Sequence, residues 1–398
     1  MLTLDLIFKF FNLSYMERWN DKIRPMPFYE IDKQAHKMII AFFLASFEKE
    51  RADFSYDNLI KAGIFEILQR SVITDIKPSV FSKICEEKER NKELNEWICK
   101  QLEEILNSIG NDFEKEFKEY FNIDNFSLVK RILKAAHIYS SKWEFEIIKQ
   151  VNPNAYDIDY INESFEKTME EFYDLEGIKQ IAWYKAYRKF IDLCGQLRFQ
   201  IRWANLYRIP KTSVLGHSLF VAIFSYILSL KNNYCKKRRE NNFFCGLFHD
   251  LPEVLTRDII SPVKKSIEGL SETIKEYEKE QMAKIVYPLV PENIKEMLKF
   301  YTEEEFDSLV IINGKRQYLN SEIITHKYNE DIYNPKDGQL VKAVDELSAF
   351  IEAFVALENG SNAQEFKNAI NNLRQKYTKS NKVIDKIDFS KIYEMFLD

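Results

Sequence analysis

The stretch GLFHDLPEVLTRDIISPVK, residues 246–264, decides how this sequence is interpreted. It places His249 and Asp250 side by side at the end of an apolar segment. Pro252 follows at once, and proline breaks a helix because it has no amide hydrogen and clashes with the preceding turn. An imidazole and a carboxylate at such a break predict a polar site at a helix end.

Two residues outside this stretch extend the polar site. His217 opens the apolar run LFVAIFSYILSL, and Asp345 interrupts a predicted helix whose apolar stripe begins at Val341. A carboxylate beside that stripe is costly unless it is paired or bound to a metal. Two imidazoles and two carboxylates suit one divalent transition metal ion such as Mn, Co, Fe, Zn or Ni. The candidate metal ligands are therefore His217, His249, Asp250 and Asp345.

Composition favours a mainly helical, all-α protein. The 398 residues include only 10 glycines and 10 prolines, the residues that form turns, and 45% of them are hydrophobic. The formal net charge is −5, without the basic excess that binders of nucleic acid polymers show. A small phosphorylated ligand is compatible with this balance, because a metal and one or two cations suffice to bind it.

Cysteine spacing and hydropathy predict a cytoplasmic protein that does not span a membrane. The 5 cysteines include no CxxC pair, which is typical of free thiols in a reducing compartment. The N-terminus lacks the basic start and cleavage site of a signal peptide. The longest apolar runs, 38–47 and 219–230, are shorter than the roughly 20 residues of a bilayer span. We expect both to be buried core helices.

The sequence also contains a hidden internal repeat. RWNDKIRPMPFYEIDKQAHKMIIA (18–41) matches RWANLYRIPKTSVLGHSLFVA (202–222), and GIFEILQRSVITDIKP (63–78) matches GLFHDLPEVLTRDIISP (246–262). The anchors that align are the Trp, His, Gly and Asp of each pair, at separations of 181 to 184 residues. We therefore predict two tandem copies of one helical domain, at 1–170 and 171–398.

The first copy is predicted to be degenerate. Glu66-Ile67 stand where the second copy has the His-Asp doublet, and Arg70 stands in the position of Glu253. A weaker match of 129–139 with 341–350 places His137 near the position of Asp345. Two interpretations stay open: a structural partner of the second copy, or a metal-free pocket that still binds a ligand and regulates the second copy, in which Arg70 replaces the charge of the metal. The residues that persist in this copy are Arg18, Trp19, His36 and Asp75.

With these residues in place, the second copy resembles the HD-domain superfamily of metal-dependent phosphohydrolases, in its 5′-deoxynucleotidase-like branch. The resemblance covers about 185–395 and is carried by IRWANLYRIPKTSVLGHSLFVA, LFHDLPEVLTRDIISPVK and LVKAVDELSAFIEAF. One departure is Leu215-Gly216, where the family commonly has Ser-Glu before the first histidine. The acidic neighbour of the first histidine is therefore missing, which affects the support of the metal ligands.

The resemblance implies roles for residues around the four ligands. Glu253 would orient or deprotonate the attacking water, and Asp258 would act beside it by contacting the sugar. Arg202 would bind the phosphate, and Trp203 would shape the pocket. Structural alternatives are a paired Arg202, a core Trp203, a turn-capping Asp258 and a helix-starting Glu253. Further pocket-lining candidates are Thr256 and Lys264.

The predicted function is that of an enzyme, a metal-dependent phosphoric monoester hydrolase. It would release phosphate from (deoxy)nucleoside 5′-monophosphates by attack of a metal-bound water. Alternatives are a nucleoside triphosphate triphosphohydrolase, a cyclic-nucleotide phosphodiesterase, or a nucleotide sensor without turnover. The partner is a small phosphorylated substrate, and the chain is expected to be a monomer that resembles a fused dimer, or a homodimer.

Overall fold

Helices connected by short loops form most of the protein, so the all-α prediction is confirmed. The computed structural model describes residues 2–74, 76–110, 112–122, 127–258, 267–379 and 382–397. The chain divides into two compact units. The first unit comprises Met1–Ala41 and Glu48–Phe172, and the second comprises Phe42–Phe47 and Tyr173–Asp398.

The first unit is built almost entirely of helices. Two short strands, β1 (Glu17–Arg18) and β2 (Phe28–Tyr29), pair in antiparallel fashion before the helix that carries His36. The helices are α1 (Leu4–Phe11), α2 (Glu30–Ala45, whose residues from Phe42 on are grouped with the second unit), α3 (Tyr56–Ile73), α4 (Pro78–Glu86), α5 (Lys88–Ile109), α6 (Phe113–Asn122), α7 (Leu128–Val151) and α8 (Ile158–Glu170).

The second unit surrounds the apolar helix α11 (Val214–Lys231). The other helices are α9 (Glu176–Trp183), α10 (Lys185–Gln196), α12 (Lys236–Phe248), α13 (Glu253–Thr256), α14 (Leu270–Gln281), α15 (Glu292–Thr302), α16 (Ser321–Lys327), α17 (Gly338–Glu358), α18 (Gln364–Thr378) and α19 (Phe389–Glu394). The strands are β3 (Ser308–Ile312), β4 (Lys315–Tyr318), β5 (Lys336–Asp337), β6 (Val383–Ile384) and β7 (Ile387–Asp388).

Helix α11 is the centre of the second unit. By length and composition it is apolar enough to cross a membrane, but 94% of its 18 residues are buried inside the protein. Such burial is that of a core helix, as the sequence predicted. Ser213 begins the helix by accepting a hydrogen bond from the amide of Gly216 at 2.9 Å, which satisfies one of the free donors of the first turn.

Helices α11 and α12 pack closely because of one glycine. A Cβ atom on Gly246 would lie 2.8 Å from the backbone of Ala222, closer than real side chains come. Every other residue type would push the two helices apart. The glycine shared by the two aligned sequence segments thus has a packing role next to the His-Asp doublet.

A buried ion pair fixes α12 against the start of α17. Arg238 and Asp337 are fully buried, and their Nη2 and Oδ2 atoms lie 2.7 Å apart. Asp337 also caps α17 by accepting the amide of Leu340 at 3.2 Å. Because His249 caps the C-terminal end of α12 and α17 carries Asp345, this ion pair joins the two helices that carry these candidate ligands.

One β-hairpin is a feature that the sequence analysis missed. Strands β3 and β4 pair antiparallel around a two-residue turn at Asn313 and Gly314, where φ is 50° and 75°. Asn-Gly is a preferred sequence for turns in which both residues have positive φ. The strand β3 also pairs with β5, forming a small three-stranded sheet within the second unit.

Candidate metal and phosphate site

Three helices bring three of the candidate ligands together. His217 lies in the first turn of α11, His249 ends α12, and Asp345 lies in α17. One ligand atom of each lies within 4.8 Å of the others, an arrangement that can hold a metal ion. The Nε2 atom of His217 is 3.2 Å from Oδ1 of Asp345, so residues 128 positions apart in sequence face each other.

The Nδ1 atom of each of the two histidines lies within hydrogen-bond distance of another residue. His249 donates from Nδ1 to the carbonyl of Gly246 at 2.8 Å, and Nδ1 of His217 lies 2.9 Å from the hydroxyl of Ser348. In the part of the chain that the structure describes, neither Nε2 atom has a hydrogen-bond partner, although both are buried. Histidines held at Nδ1 with Nε2 aimed at carboxylates are oriented as metal ligands.

Asp250 lies at the same centre. Its Oδ2 atom is 3.2 Å from Nε2 of His249 and 3.6 Å from Nε2 of His217. Asp250 therefore lies beside the two predicted histidine ligands. The donor set of two imidazoles and two carboxylates fits a divalent transition metal ion.

The charges around the centre stabilise ionised carboxylates. Burial opposes ionisation of Asp345, but Lys342 and His217 hold its pKa well below the usual range. Burial likewise opposes ionisation of Asp250, and His249, His217 and Arg202 lower its pKa. Both aspartates are therefore available as anionic ligands at neutral pH.

Arg202 contacts Glu352, a residue that the sequence analysis did not identify, and also lies near Asp250. Its Nε atom lies 3.1 Å from Oε2 and 3.2 Å from Oε1 of Glu352, and its Nη1 atom lies 3.8 Å from Oδ2 of Asp250. Arg202 therefore has the carboxylate partner that the structural alternative expected. The same contact leaves the Nη end of the guanidinium directed at the proposed ligands.

Trp203 shares the same carboxylate. Its indole Nε1 donates to Oε2 of Glu352 at 2.9 Å, and Thr212 donates to Oε1 at 2.6 Å. The backbone of Trp203 has φ of 56°, a left-handed conformation that is costly for a bulky residue. Burial opposes ionisation of Glu352, but Arg202 and Arg208 lower its pKa to about 2. No local sequence pattern identifies Glu352, because its partners lie about 150 residues away.

Glu253 and Asp258 lie beside the ligands along the chain. Glu253 is buried at the first position of α13, three residues after Asp250. Asp258 is half-buried; burial raises its pKa, Arg202 opposes this shift, and Asp250 adds to it. A carboxyl group with a raised pKa beside the ligand set is compatible with proton transfer.

Of the two remaining candidates, only Thr256 lies among the described residues. The hydroxyl of Thr256 donates to Glu278 of α14 at 2.9 Å and not to any of the four proposed ligands. Lys264 lies outside the described residues. Their substrate-binding roles stay predictions.

The first unit repeats the contacts of Arg202 and Trp203. Nε of Arg18 and Nε1 of Trp19 each lie 2.9 Å from Oε2 of Glu144, a fully buried residue of α7. Trp19 has φ of 54°, close to the value at Trp203. The same arrangement of arginine, tryptophan and glutamate therefore occurs once in each unit.

In the first unit, lysines contact the residues that align with ligands. Lys37 forms an ion pair with Glu66, the counterpart of His249, and Glu66 also accepts from Tyr120 at 2.6 Å. Lys33 hydrogen-bonds Nδ1 of His137, the counterpart of Asp345. Burial holds the pKa of both Lys33 and His137 well below their ordinary values. Asp75 lies outside the described residues.

Arg70 does not take the position of a metal by itself. It pairs with the buried Glu30, its Nε 3.3 Å from Oε2, and Glu30 also pairs with Arg18 at 2.8 Å. The cation next to Glu66, which aligns with His249, is Lys37. The sequence analysis did not identify Lys33 or Lys37. Their positions on either side of His36 were the sequence feature that could have indicated them.

Comparison with known proteins finds similarity in the second half of the chain. Residues 194–388 match the model of the HD domain. The chain is 38% identical over 79 residues to a 4′-phosphooxetanocin A phosphatase of Priestia megaterium. It is 25% identical over 176 residues to a 5′-deoxynucleotidase of Cronobacter sakazakii and 26% identical over 176 residues to one of Escherichia coli.

These matches cover different shares of the relatives. The match to the phosphatase spans 41% of that protein and 19% of this chain. The matches to the two nucleotidases each span 75% of those proteins and 44% of this chain. The likeness therefore concerns about half of this chain.

Proposed function

We propose that the second unit, whose residues 194–388 match the model of the HD domain, is a metal-dependent phosphohydrolase that releases phosphate from nucleoside 5′-monophosphates, including deoxy forms. The observation that carries the proposal is the convergence of His217, His249 and Asp345, whose ligand atoms lie within 4.8 Å of one another. The relatives named as 5′-deoxynucleotidases support the choice of substrate.

The proposed ligands are His217, His249, Asp250 and Asp345. Their fit to a metal rests on the two buried Nε2 atoms without hydrogen-bond partners among the described residues, and on two carboxylates with lowered pKa values. A bound divalent ion supplies Lewis acidity, which makes water a better nucleophile and neutralises charge on a phosphoryl group. The identity of the ion stays open among Mn, Co, Fe, Zn and Ni.

The protein's own residues orient the phosphate. Glu352 holds Arg202 through Nε, so that the Nη groups are available as donors beside Asp250. A guanidinium fixed in this way binds phosphate oxygens with defined geometry. Trp203 is held by the same carboxylate and forms a rigid wall next to Arg202.

Proton movement is assigned to Glu253 and Asp258. In the reaction, water oxygen forms a new P–O bond, the ester P–O bond breaks, and the products are a nucleoside and inorganic phosphate. Glu253 takes a proton from the attacking water, because it is buried three residues after Asp250. Asp258 contacts the sugar. Its raised pKa allows it to donate a proton to the leaving ester oxygen.

For the first unit, we propose a degenerate copy of the same domain that binds no metal. The repeated contacts of Arg18, Trp19 and Glu144 support common ancestry with the second unit. Lys37 provides a positive charge next to Glu66, and a second cation there would be repelled. The proposed role is structural, and the described contacts of Lys33, Lys37 and Arg70 are all satisfied within this unit. The cytoplasmic location and the oligomeric state stay predictions.

The deciding experiment measures phosphate release from ribo- and deoxyribonucleoside mono-, di- and triphosphates and cyclic nucleotides, with Mn, Co, Mg or Zn. Asp250→Ala removes a proposed ligand, and Asp192→Ala removes an exposed aspartate of α10 as the control. We expect release from monophosphates that is lost in Asp250→Ala and kept in Asp192→Ala. Turnover of triphosphates or cyclic nucleotides alone, or no turnover of any nucleotide by metal-loaded protein, would overturn the proposal.

A further inference from the structure

Asp345 presents its two carboxylate oxygens to different partners. Oδ1 lies 3.2 Å from Nε2 of His217, a second proposed ligand. Oδ2 lies 2.9 Å from Nζ of Lys342, which stands three residues earlier on α17. Two atoms that bind one ion at a right angle, each about 2.1 Å from it, lie about 3 Å apart. Oδ1 is therefore placed to share an ion with His217, whereas Oδ2 is engaged by an ammonium.

The ammonium of Lys342 is fixed from a second side by an aromatic ring. Its Nζ lies 4.2 Å from the ring centre of Phe306, a distance at which a cation is attracted to the ring face. A second carboxylate, that of Glu346, is farther from Lys342, at 4.0 Å, and pairs more closely with Lys376 at 2.6 Å. The ring and the shorter ion pair therefore direct this ammonium to Asp345.

The ion pair between Lys342 and Asp345 is partly open to solvent. The side chain of Lys342 is 42% exposed and that of Asp345 is 17% exposed. Ion pairs that water reaches contribute little to the free energy of unfolding, because solvent screens the two charges. A variant without this ammonium is therefore expected to fold, so that its effect on the site can be measured separately from stability.

The first unit has a lysine at the equivalent place but not the contact. Lys134 precedes His137 by three residues on α7, as Lys342 precedes Asp345 on α17. The Nζ atom of Lys134 lies 4.0 Å from Oε2 of Glu171, and its side chain is 63% exposed. The lysine thus pairs with the ligand position in the unit where that position holds a carboxylate, and pairs elsewhere in the unit where it holds a histidine.

We propose that Lys342 is a positioning residue that restricts Asp345 to binding the metal ion through Oδ1 alone. This role rests on the proposed function and deepens it. A carboxylate that binds through both oxygens occupies two coordination positions of an ion. Four ligands that each bind through one atom leave two positions of an octahedral ion, for the attacking water and one phosphate oxygen. By engaging Oδ2, Lys342 keeps open a position that the reaction requires.

The test uses the full chain loaded with Mn²⁺, which speeds the relaxation of water protons in proportion to the number of exchangeable waters on the ion. Lys342→Met removes the ammonium and keeps the length of the side chain. Lys134→Met is the matched control, because it makes the same change at the equivalent position of the first unit. The readouts are metal content, water proton relaxation and turnover of deoxyadenosine 5′-monophosphate.

We expect Lys342→Met to keep its metal but to lower the relaxation enhancement about twofold, since Oδ2 then takes one of two water positions. Its kcat should fall about tenfold or more, because water and phosphate compete for the position that is left. Lys134→Met should match the wild type in all three readouts.

Unchanged relaxation in Lys342→Met, or an equal change in Lys134→Met, would overturn the role of Lys342 even if nucleotides are hydrolysed. Loss of metal from Lys342→Met would also overturn it, because the lysine would then be needed for metal binding itself. A wild-type chain that binds Mn²⁺ but hydrolyses no nucleotide refutes the proposed function alone, and the relaxation of the two variants still decides the role of Lys342. A wild-type chain that binds no Mn²⁺ overturns both.

Discussion

Glu352 binds Arg202, which lies 150 residues earlier in the sequence. The Nε atom of Arg202 is 3.1 and 3.2 Å from the two carboxylate oxygens of Glu352. The pair is nearly closed to solvent, with Arg202 12% and Glu352 1% exposed at the side chain. Since Nε is committed to Glu352, rotation of the guanidinium is restricted. The Nη groups therefore keep one direction, next to Asp250.

The first prediction concerns this contact. Glu352→Gln keeps the shape but removes the charge, so Arg202 should lose its fixed orientation. We expect KM for a monophosphate to rise about tenfold with a smaller change in kcat, the effect of about 1.4 kcal/mol of lost binding. Glu358→Gln, at the exposed end of the same helix, is the control. A decrease in kcat alone at unchanged KM would argue against a role in holding Arg202.

The second prediction concerns metal content. Elemental analysis of the purified, metal-loaded chain should give about one equivalent of transition metal, because one ligand set is intact. His249→Gln should lose this metal, whereas His326→Gln, which alters an exposed histidine of α16, should keep it. Two equivalents would show that the first unit also binds metal, and none would remove the basis of the proposed site.

The third prediction concerns acid stability of the first unit. Burial opposes ionisation of Glu30, but Arg18, Arg70 and Lys33 lower its pKa from 4.5 to about 2. A lowered carboxyl pKa contributes stability that is complete above pH 4.5 and lost as the pH falls towards 2. The contribution is on the order of 3 kcal/mol.

Urea unfolding across this pH range measures that contribution. The wild-type chain should lose more stability between pH 5 and pH 2.5 than Glu30→Gln, which cannot ionise at this position. Glu50→Gln, whose side chain is 91% exposed, should follow the wild type. Parallel curves for wild type and Glu30→Gln would disprove the assignment.

The fourth prediction concerns the paired glycines. Gly246→Ala should cost about 1–3 kcal/mol of unfolding free energy, because its Cβ would meet the backbone of Ala222 at 2.8 Å. At Gly63 a Cβ would meet the flexible end of Met38, which can move aside. Gly63→Ala should therefore be close to neutral, since alanine also favours the helix by about 1 kcal/mol. Thermal unfolding of both variants measures the difference, and equal losses would contradict it.

Local sequence patterns predicted the helical fold, and they indicated the residues that we propose as metal ligands. The buried helices α2 and α11 follow from apolar runs, and the His-Asp doublet followed by Pro252 marks the end of α12. Such features depend on neighbours along the chain, which a single sequence displays. The Asn313-Gly314 hairpin was not predicted, because its two strands have only 5 and 4 residues and show little alternation of apolar and polar residues.

The contacts of Glu352 and of Lys37 could not be predicted in the same way. Glu352 looks like a solvated glutamate of an amphipathic helix until folding brings Arg202 and Trp203 to it. Lys37 looks like a surface lysine in α2, yet it is 1% exposed and pairs with Glu66. Their roles depend on tertiary partners, which the helical period does not reveal.

Lys37 gives the first unit a cation that is encoded in the gene. A metal ion must be acquired from the cell's supply, and its occupancy varies with nutrition and competing proteins. The ammonium of Lys37 is made whenever the chain is made and is always present in a one-to-one ratio. The metal-free role proposed for the first unit therefore makes its folding independent of the metal supply on which the proposed site of the second unit depends.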